Sequence, residues 1–242
     1  MPFATGHRLY GEAGRARRPV AGRAGTKTRG PHMSGLLAAV LLALGVGGDA
    51  AAQRSVVGTV VKSVRSPAVQ VVLDSTLAYV GSQRFVINMV ADAEQYLFVE
   101  ARDSVVRRLY WLQFEGYRDD LRSYDYSTDS SIVADGRTLS VNFRYYPPAG
   151  FSGAPGSDGD RARQLLEVAG YRLPSDLGRV RLVWIWDDGA HNELMVIYVE
   201  HLADYGYTLE GLREDPTRWI ALQAELLDRA LAGIAFQPTE PR

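Results

Sequence analysis

The side chains best spaced to do chemistry are Glu94, Tyr96, Trp111, Gln113, Glu115 and Tyr117. They fall in two β-rich runs, 94–101 and 106–117, on either side of Asp103-Ser104, where a tight hairpin turn is expected. An even-numbered loop there sets Glu100 opposite Arg107, Phe98 opposite Leu109, Tyr96 opposite Trp111 and Glu94 opposite Gln113. Opposite charges and aromatic–apolar pairs stabilise such positions by roughly 0.2–1 kcal/mol each. In that register Glu94, Gln113, Glu115 and Tyr117 share the face of Tyr96 and Trp111. An aromatic face edged by polar groups suits a small ligand, the rings giving area and the polar atoms orientation. Tyr96, Trp111, Gln113 and Tyr117 are therefore the ligand-binding candidates. Glu94 and Glu115 are the catalytic candidates of an alternative hydrolase, one a raised-pKa acid and the other an ionised base or nucleophile. The competing structural reading makes the same residues a solvated sheet rim, because strand ends are polar by default.

Other constellations carry less. Asp187, Asp188, His191 and Glu193 gather metal-ligating types, but their spacing matches no ligand motif and Asp188-Gly189 is ordinary turn chemistry. Neither a metal nor a cofactor is expected. Ser152 sits in Gly-Phe-Ser-Gly-Ala inside a Pro/Gly-rich loop, where a nucleophile elbow would need a strand-to-helix turn. Asp125, Ser127 and Asp129 begin like a calcium loop, yet Ser130 stands where Gly is needed and Gly136 where the closing Glu is needed. His201 follows Glu200 directly, so the two point to opposite faces of an extended strand.

The elements that must position these groups read as an α+β domain. Strands are expected at 69–73, 84–90, 94–101, 106–117, 138–146, 179–187 and 193–200, a mainly antiparallel sheet of about six to seven strands. One helix starts near Ser157 or Asp158 and stops at Gly170. A C-terminal amphipathic helix has Asp215 as N-cap and Pro216 in its first turn. Its apolar stripe is read as Trp219, Ile220, Leu226, Leu227, Ala230, Leu231 and Ile234. The last two long strands are apolar on both faces, which predicts a helix layer on one side and a helix or long loop on the other, a layered α/β/α arrangement in the first case. Their hairpin is expected to have a four-residue loop, Asp188–His191, pairing Ile185 with Leu194 and Arg179 with Glu200. The loop 147–156 is read as a surface connection, with a lid over the aromatic face as the alternative.

The 242-residue chain has 27 Lys+Arg against 28 Asp+Glu, and this balance is uneven along it. Residues 1–52 hold seven basic and two acidic side chains, which leaves 20 basic against 26 acidic in 53–242, a net charge of −6. An acidic body lacks the basic face that nucleic-acid binding requires, so no nucleic-acid partner is expected. The absence of cysteine excludes disulfides, thiolate metal sites and a cysteine nucleophile. Leu36–Val46 is an uncharged apolar run followed by Ala50-Ala51-Ala52, the small-residue pattern of a signal peptidase site. That run is about half of the ~20 residues a membrane helix needs, so no permanent span is expected after cleavage. Residues 1–32 read as an upstream extension, 33–52 as a signal peptide and 53–242 as a single exported domain, periplasmic or extracellular. Together these features predict a non-enzymatic domain that binds a small molecule or an envelope protein through its aromatic-edged face. The carboxylate hydrolase and a scaffold with no ligand site are the alternatives.

Overall fold

A computed structural model describes residues 53–64 and 66–239; the extension and signal segment expected at 1–52 lie outside them. Eleven strands form among the described residues. They are β1 (Arg54–Val57), β2 (Val60–Ser63), β3 (Val69–Leu73), β4 (Ala78–Ile87), β5 (Ala91–Arg102) and β6 (Val105–Tyr117), then β7 (Ser130–Ala134), β8 (Arg137–Tyr146), β9 (Leu177–Ile185), β10 (Asn192–His201) and β11 (Ile234–Pro238). The helices are α1 (Pro148–Ser152), α2 (Asp158–Val168), α3 (Leu209–Glu214) and α4 (Pro216–Ala232). The result is a single-domain α+β fold, dominated by antiparallel sheet. None of the described helices is long and apolar enough to cross a membrane.

Two sheets form. A four-stranded sheet runs β1-β2-β3-β11, and a seven-stranded sheet runs β4-β5-β6-β10-β9-β8-β7. The large sheet is two meanders that meet at the β6–β10 pair, so the two most apolar strands lie at its centre. One face, here the inner face, packs Tyr96, Phe98, Tyr110, Leu112, Val196 and Tyr198 against the small sheet and α4. The outer face packs Leu97, Leu109, Trp111, Ile197 and Val199 against Phe151 of α1 and Ala162 and Leu166 of α2. Both faces are covered as expected for strands apolar on two sides, but a second sheet supplies part of the inner layer.

The helix caps follow local chemistry. The Ser157 side chain accepts from the Asp160 amide at the start of α2, and the Asp215 carboxylate accepts from the Thr217 amide at the start of α4. The buried stripe of α4 is Leu222, Leu226 and Ala230, with Trp219, Leu227 and Leu231 half-buried beside it. Ile220 is 67% exposed, and Ile234 leaves the helix to open β11, so neither belongs to the stripe expected for it. The break falls at Gly233, where any Cβ would stand 2.3 Å from the Tyr110 hydroxyl. That hydroxyl donates to the Ala230 carbonyl at 2.9 Å and pins the helix end to the sheet.

Both hairpin registers differ from expectation by one residue. At the β5–β6 turn Asp103 and Ser104 both have positive φ, and Arg102 pairs with Val105 and Ala101 with Val106, as an even loop requires. A bulge then inserts Arg107, and Glu100 pairs with Arg108. From there Phe98 faces Tyr110, Tyr96 faces Leu112 and Glu94 faces Phe114. The bulge gives Glu100 a 2.5 Å bond from Arg108 Nε and releases Arg107 to ion-pair with Asp204. At β9–β10 the six residues 186–191 connect the strands, and Ile185 pairs with Glu193 and Glu200 with Gly178. The Asp187 carboxylate accepts from the amides of His191 and Asn192 at 3.0 and 2.9 Å and closes this turn.

Candidate functional site

The bulge at Arg107 decides where the candidate side chains go. Side chains alternate along a strand, so the shift by one residue sends Tyr96 and Glu94 to the inner face and leaves Trp111, Gln113 and Glu115 on the outer one. Glu94 and Glu115 therefore lie on opposite faces, and the shared aromatic face expected around Tyr96 and Trp111 does not form. This corrects the same-face placement expected for the two carboxylates of a hydrolase, since Glu94 and Glu115 leave opposite sides of the sheet.

The structure brings a different carboxylate to Glu115. Glu193 is its direct cross-strand partner on β10. Both are buried, 8% and 1% exposed, and no Lys, Arg or His among the described residues comes within ion-pair distance of either. Tyrosine hydroxyls from the segment 118–129 supply their hydrogen bonds, Tyr124 donating to Glu115 at 3.3 Å and Tyr126 to Glu193 at 2.7 Å. Asp158, the first residue of α2, approaches from the other side and shares the amide of Gln113 with Glu115. Trp111 Nε1 (2.8 Å) and Gln95 Nε2 (3.1 Å) both donate to Gln113 Oε1, which fixes the amide so that its NH2 points at the two carboxylates. Gln83 in turn donates to Gln95 at 2.6 Å, extending the row of amides across three strands.

Burial without a counter-charge favours the neutral form of a carboxyl. Desolvation, with the charge of Asp158 second, pushes Glu115 up to about 7. Desolvation, with the charge of Glu115 second, pushes Glu193 up to about 8. Asp158 is raised too, again by burial. Glu94 goes the other way. Burial alone would raise it, but bonds from Tyr96 (2.5 Å), Arg54 (2.8 Å) and Arg84 (2.9 Å) hold it below the ordinary carboxylate range. Glu94 is thus an ionised member of a network, with the Arg54 guanidinium also stacked 4.0 Å over Phe114.

An open cleft of about 1040 Å³ wraps the end of β4–β6, so that Glu94 from one face and Glu115 from the other both reach its wall. Phe85, Tyr117 and Trp186 supply aromatic surface, and Arg54, Arg84 and Asn192 supply polar atoms. Of the residues singled out from the sequence, Glu94, Glu115 and Tyr117 line this cleft. Tyr96 and Trp111 are buried structural rings, and Gln113 is a buried orienting amide behind Glu115. Trp111 packs edge-on against Phe151 at 5.9 Å, so the loop 147–156 plugs the outer face with a short helix and is not a lid.

Glu193, Asp158, Tyr124 and Tyr126 were not legible as neighbours of Glu115. The available signal was polarity in the wrong place, because Gln95, Gln113, Glu115 and Glu193 interrupt otherwise apolar central strands. Among the described residues no cluster has the arrangement of a metal site. Ser152 donates back to the Pro148 carbonyl at 3.2 Å, and Asp129 is bound by Arg181 at 3.1 Å. No family model, curated protein or solved structure matches this chain.

Proposed function

We propose that the chain is an exported, non-enzymatic domain that binds a small amine-bearing ligand in the cleft at the end of the large sheet. The export half of this reading rests on the apolar run Leu36–Val46 and the Ala50-Ala51-Ala52 motif. The binding half rests on one observation: Glu115 lines the cleft while standing directly opposite Glu193, and among the described residues no cation forms an ion pair with either. A buried carboxyl pair left in this condition favours whatever brings positive charge or strong donors to it. Phe85, Tyr117 and Trp186 offer such a ligand an apolar seat, by area and by cation–π attraction.

The test is a calorimetric titration with phenethylamine and tryptamine, using phenylpropionate as the charge-reversed control. The amines should bind saturably, and more tightly at pH 9 than at pH 5, because ionised Glu115 and Glu193 attract a cation that the protonated pair does not. Glu115→Gln keeps the shape and should weaken binding by roughly tenfold or more, the worth of one charge-assisted hydrogen bond. Tyr117→Ala should also weaken it, whereas Val168→Ser on the exposed side of α2 should not. Equal binding of amine and carboxylate, or binding that ignores Glu115→Gln, would reject the proposal. Absence of any binding would favour the scaffold reading.

A further inference from the structure

A second charged feature lies on the outer face of β8 and β9, and none of its residues lines the cleft. Arg144 is the direct cross-strand partner of Arg179, and Asn142 that of Arg181, so these four side chains share one face with Tyr146. Three guanidinium groups side by side need three counter-charges, and among the described residues one carboxylate serves them. Asp129 takes Arg181 at 3.1 Å, with the guanidinium also lying 5.0 Å over the Tyr126 ring. Arg179 reaches only the neutral Asn142 Oδ1, at 2.6 Å, and Asn142 passes a 3.3 Å bond on to the same Asp129. Arg144 is exposed and forms no hydrogen bond or ion pair with the described residues. The Nε atoms of Arg179 and Arg181 are buried without a partner.

Three adjacent guanidinium groups served by one carboxylate are electrostatically costly. Burial, with the neighbouring Arg181 and Arg144 charges, pulls the Arg179 guanidinium down to about 10, and Tyr146 and Asp129 offset this only in part. A native fold ordinarily pairs a half-buried guanidinium with a carboxylate, since the isolated charge loses its hydration without recompense. Glu115 and Glu193 feel the charge of Arg181 without forming an ion pair with it. The local excess is about two positive charges, on a body whose net charge is −6 over residues 53–242. Arginine forks matched across two strands are the geometry that grips a planar or tetrahedral oxyanion through paired N–H donors.

The geometry points to an anion-binding site formed by Arg144 and Arg179, with Tyr146 at its edge, that takes the carboxylate or phosphate group of a ligand. Arg179 is the fixed donor, held by Asn142, and exposed Arg144 closes on the anion from the solvent side. Tyr146 is anchored against Phe151 at 6.5 Å and limits the site towards α1.

Inorganic phosphate and acetate, titrated separately into the full chain at constant ionic strength, test this by thermal shift and calorimetry. At least one oxyanion should bind saturably and raise the thermal midpoint above that in chloride. Phosphate alone would assign the site to phosphate groups, and acetate alone or both equally to carboxylate-sized oxyanions. Arg144→Gln, at an exposed position that folding does not depend on, should weaken that binding by roughly tenfold. Arg179→Lys keeps a charge but removes the fork, and should weaken it as well. Arg163→Gln, on the far side of α2, should leave it unchanged. Failure of both anions to act beyond chloride, or wild-type affinity in Arg144→Gln, would overturn the proposal.

Discussion

Replacing Arg229 with Met should destabilise the domain by about 3–5 kcal/mol, the typical result of stripping one partner from a buried ion pair. Glu200 on β10 has a side chain with no exposure, and Arg229 of α4 grips both its oxygens at 3.0 and 2.5 Å. Tyr198 adds a third bond at 2.8 Å, and the Tyr205 ring covers the guanidinium at 4.0 Å. Without Arg229 the carboxylate keeps one hydroxyl donor in a site closed to water, and α4 loses its only charged tie to the central strand among the described residues. Chemical denaturation checks the size of the effect. The double variant Glu200→Leu with Arg229→Met should recover most of the loss, because a well-packed apolar pair avoids the desolvation of both charges. A single variant as stable as wild type would show that the helix does not depend on this pair.

The second large effect is a stability that falls as pH rises. Glu115 and Glu193 have folded-state values raised to about 7 and about 8 from 4.5. A carboxyl raised on folding contributes stability that is fully present below its unfolded value and is lost as pH climbs through its folded one. The domain should therefore be most stable near pH 5 and lose stability through this pair by pH 9, at about 1.4 kcal/mol for each tenfold change in proton affinity. Glu193→Gln should leave the low-pH midpoint nearly unchanged and raise the midpoint at pH 9 above that of wild type. A wild-type midpoint that is flat or rising between pH 6 and pH 9 would contradict this sign.

The α+β class and the long elements could be read from the chain because they obey local rules. Residues 69–73 alternate strictly, Ser157 and Asp215 cap their helices, and Asp103-Ser104 makes the turn it is suited to. What could not be read was set by distant partners. The bulge at Arg107 is stabilised by Asp204, nearly a hundred positions away, and no rule operating within a hairpin anticipates it. That one residue moved every candidate on β6 to the other face relative to β5. Strand β11 was hidden because Ile234 continues the period of α4, and only the contact between Gly233 and Tyr110 shows why the helix stops first. Strands β1, β2 and β7 are four or five residues long and carry polar side chains, so they give little periodic signal. The acid pair itself needed the β6–β10 contact between two separate meanders, which sets Glu193 against Glu115 from far along the chain.

The most direct measurement is a pH titration of the side-chain carboxyl carbons by nuclear magnetic resonance, with assignments made through Glu115→Gln, Glu193→Gln and Glu94→Gln. Glu115 and Glu193 should titrate well above the ordinary glutamate range, near 7 and 8, while Glu94 titrates below it. In Glu115→Gln the value of Glu193 should fall, because the charge of Glu115 is one of the causes that raise it. Glu115 and Glu193 titrating together with solvent-exposed glutamates, and unmoved by each other's replacement, would contradict a buried and uncompensated acid pair at the cleft.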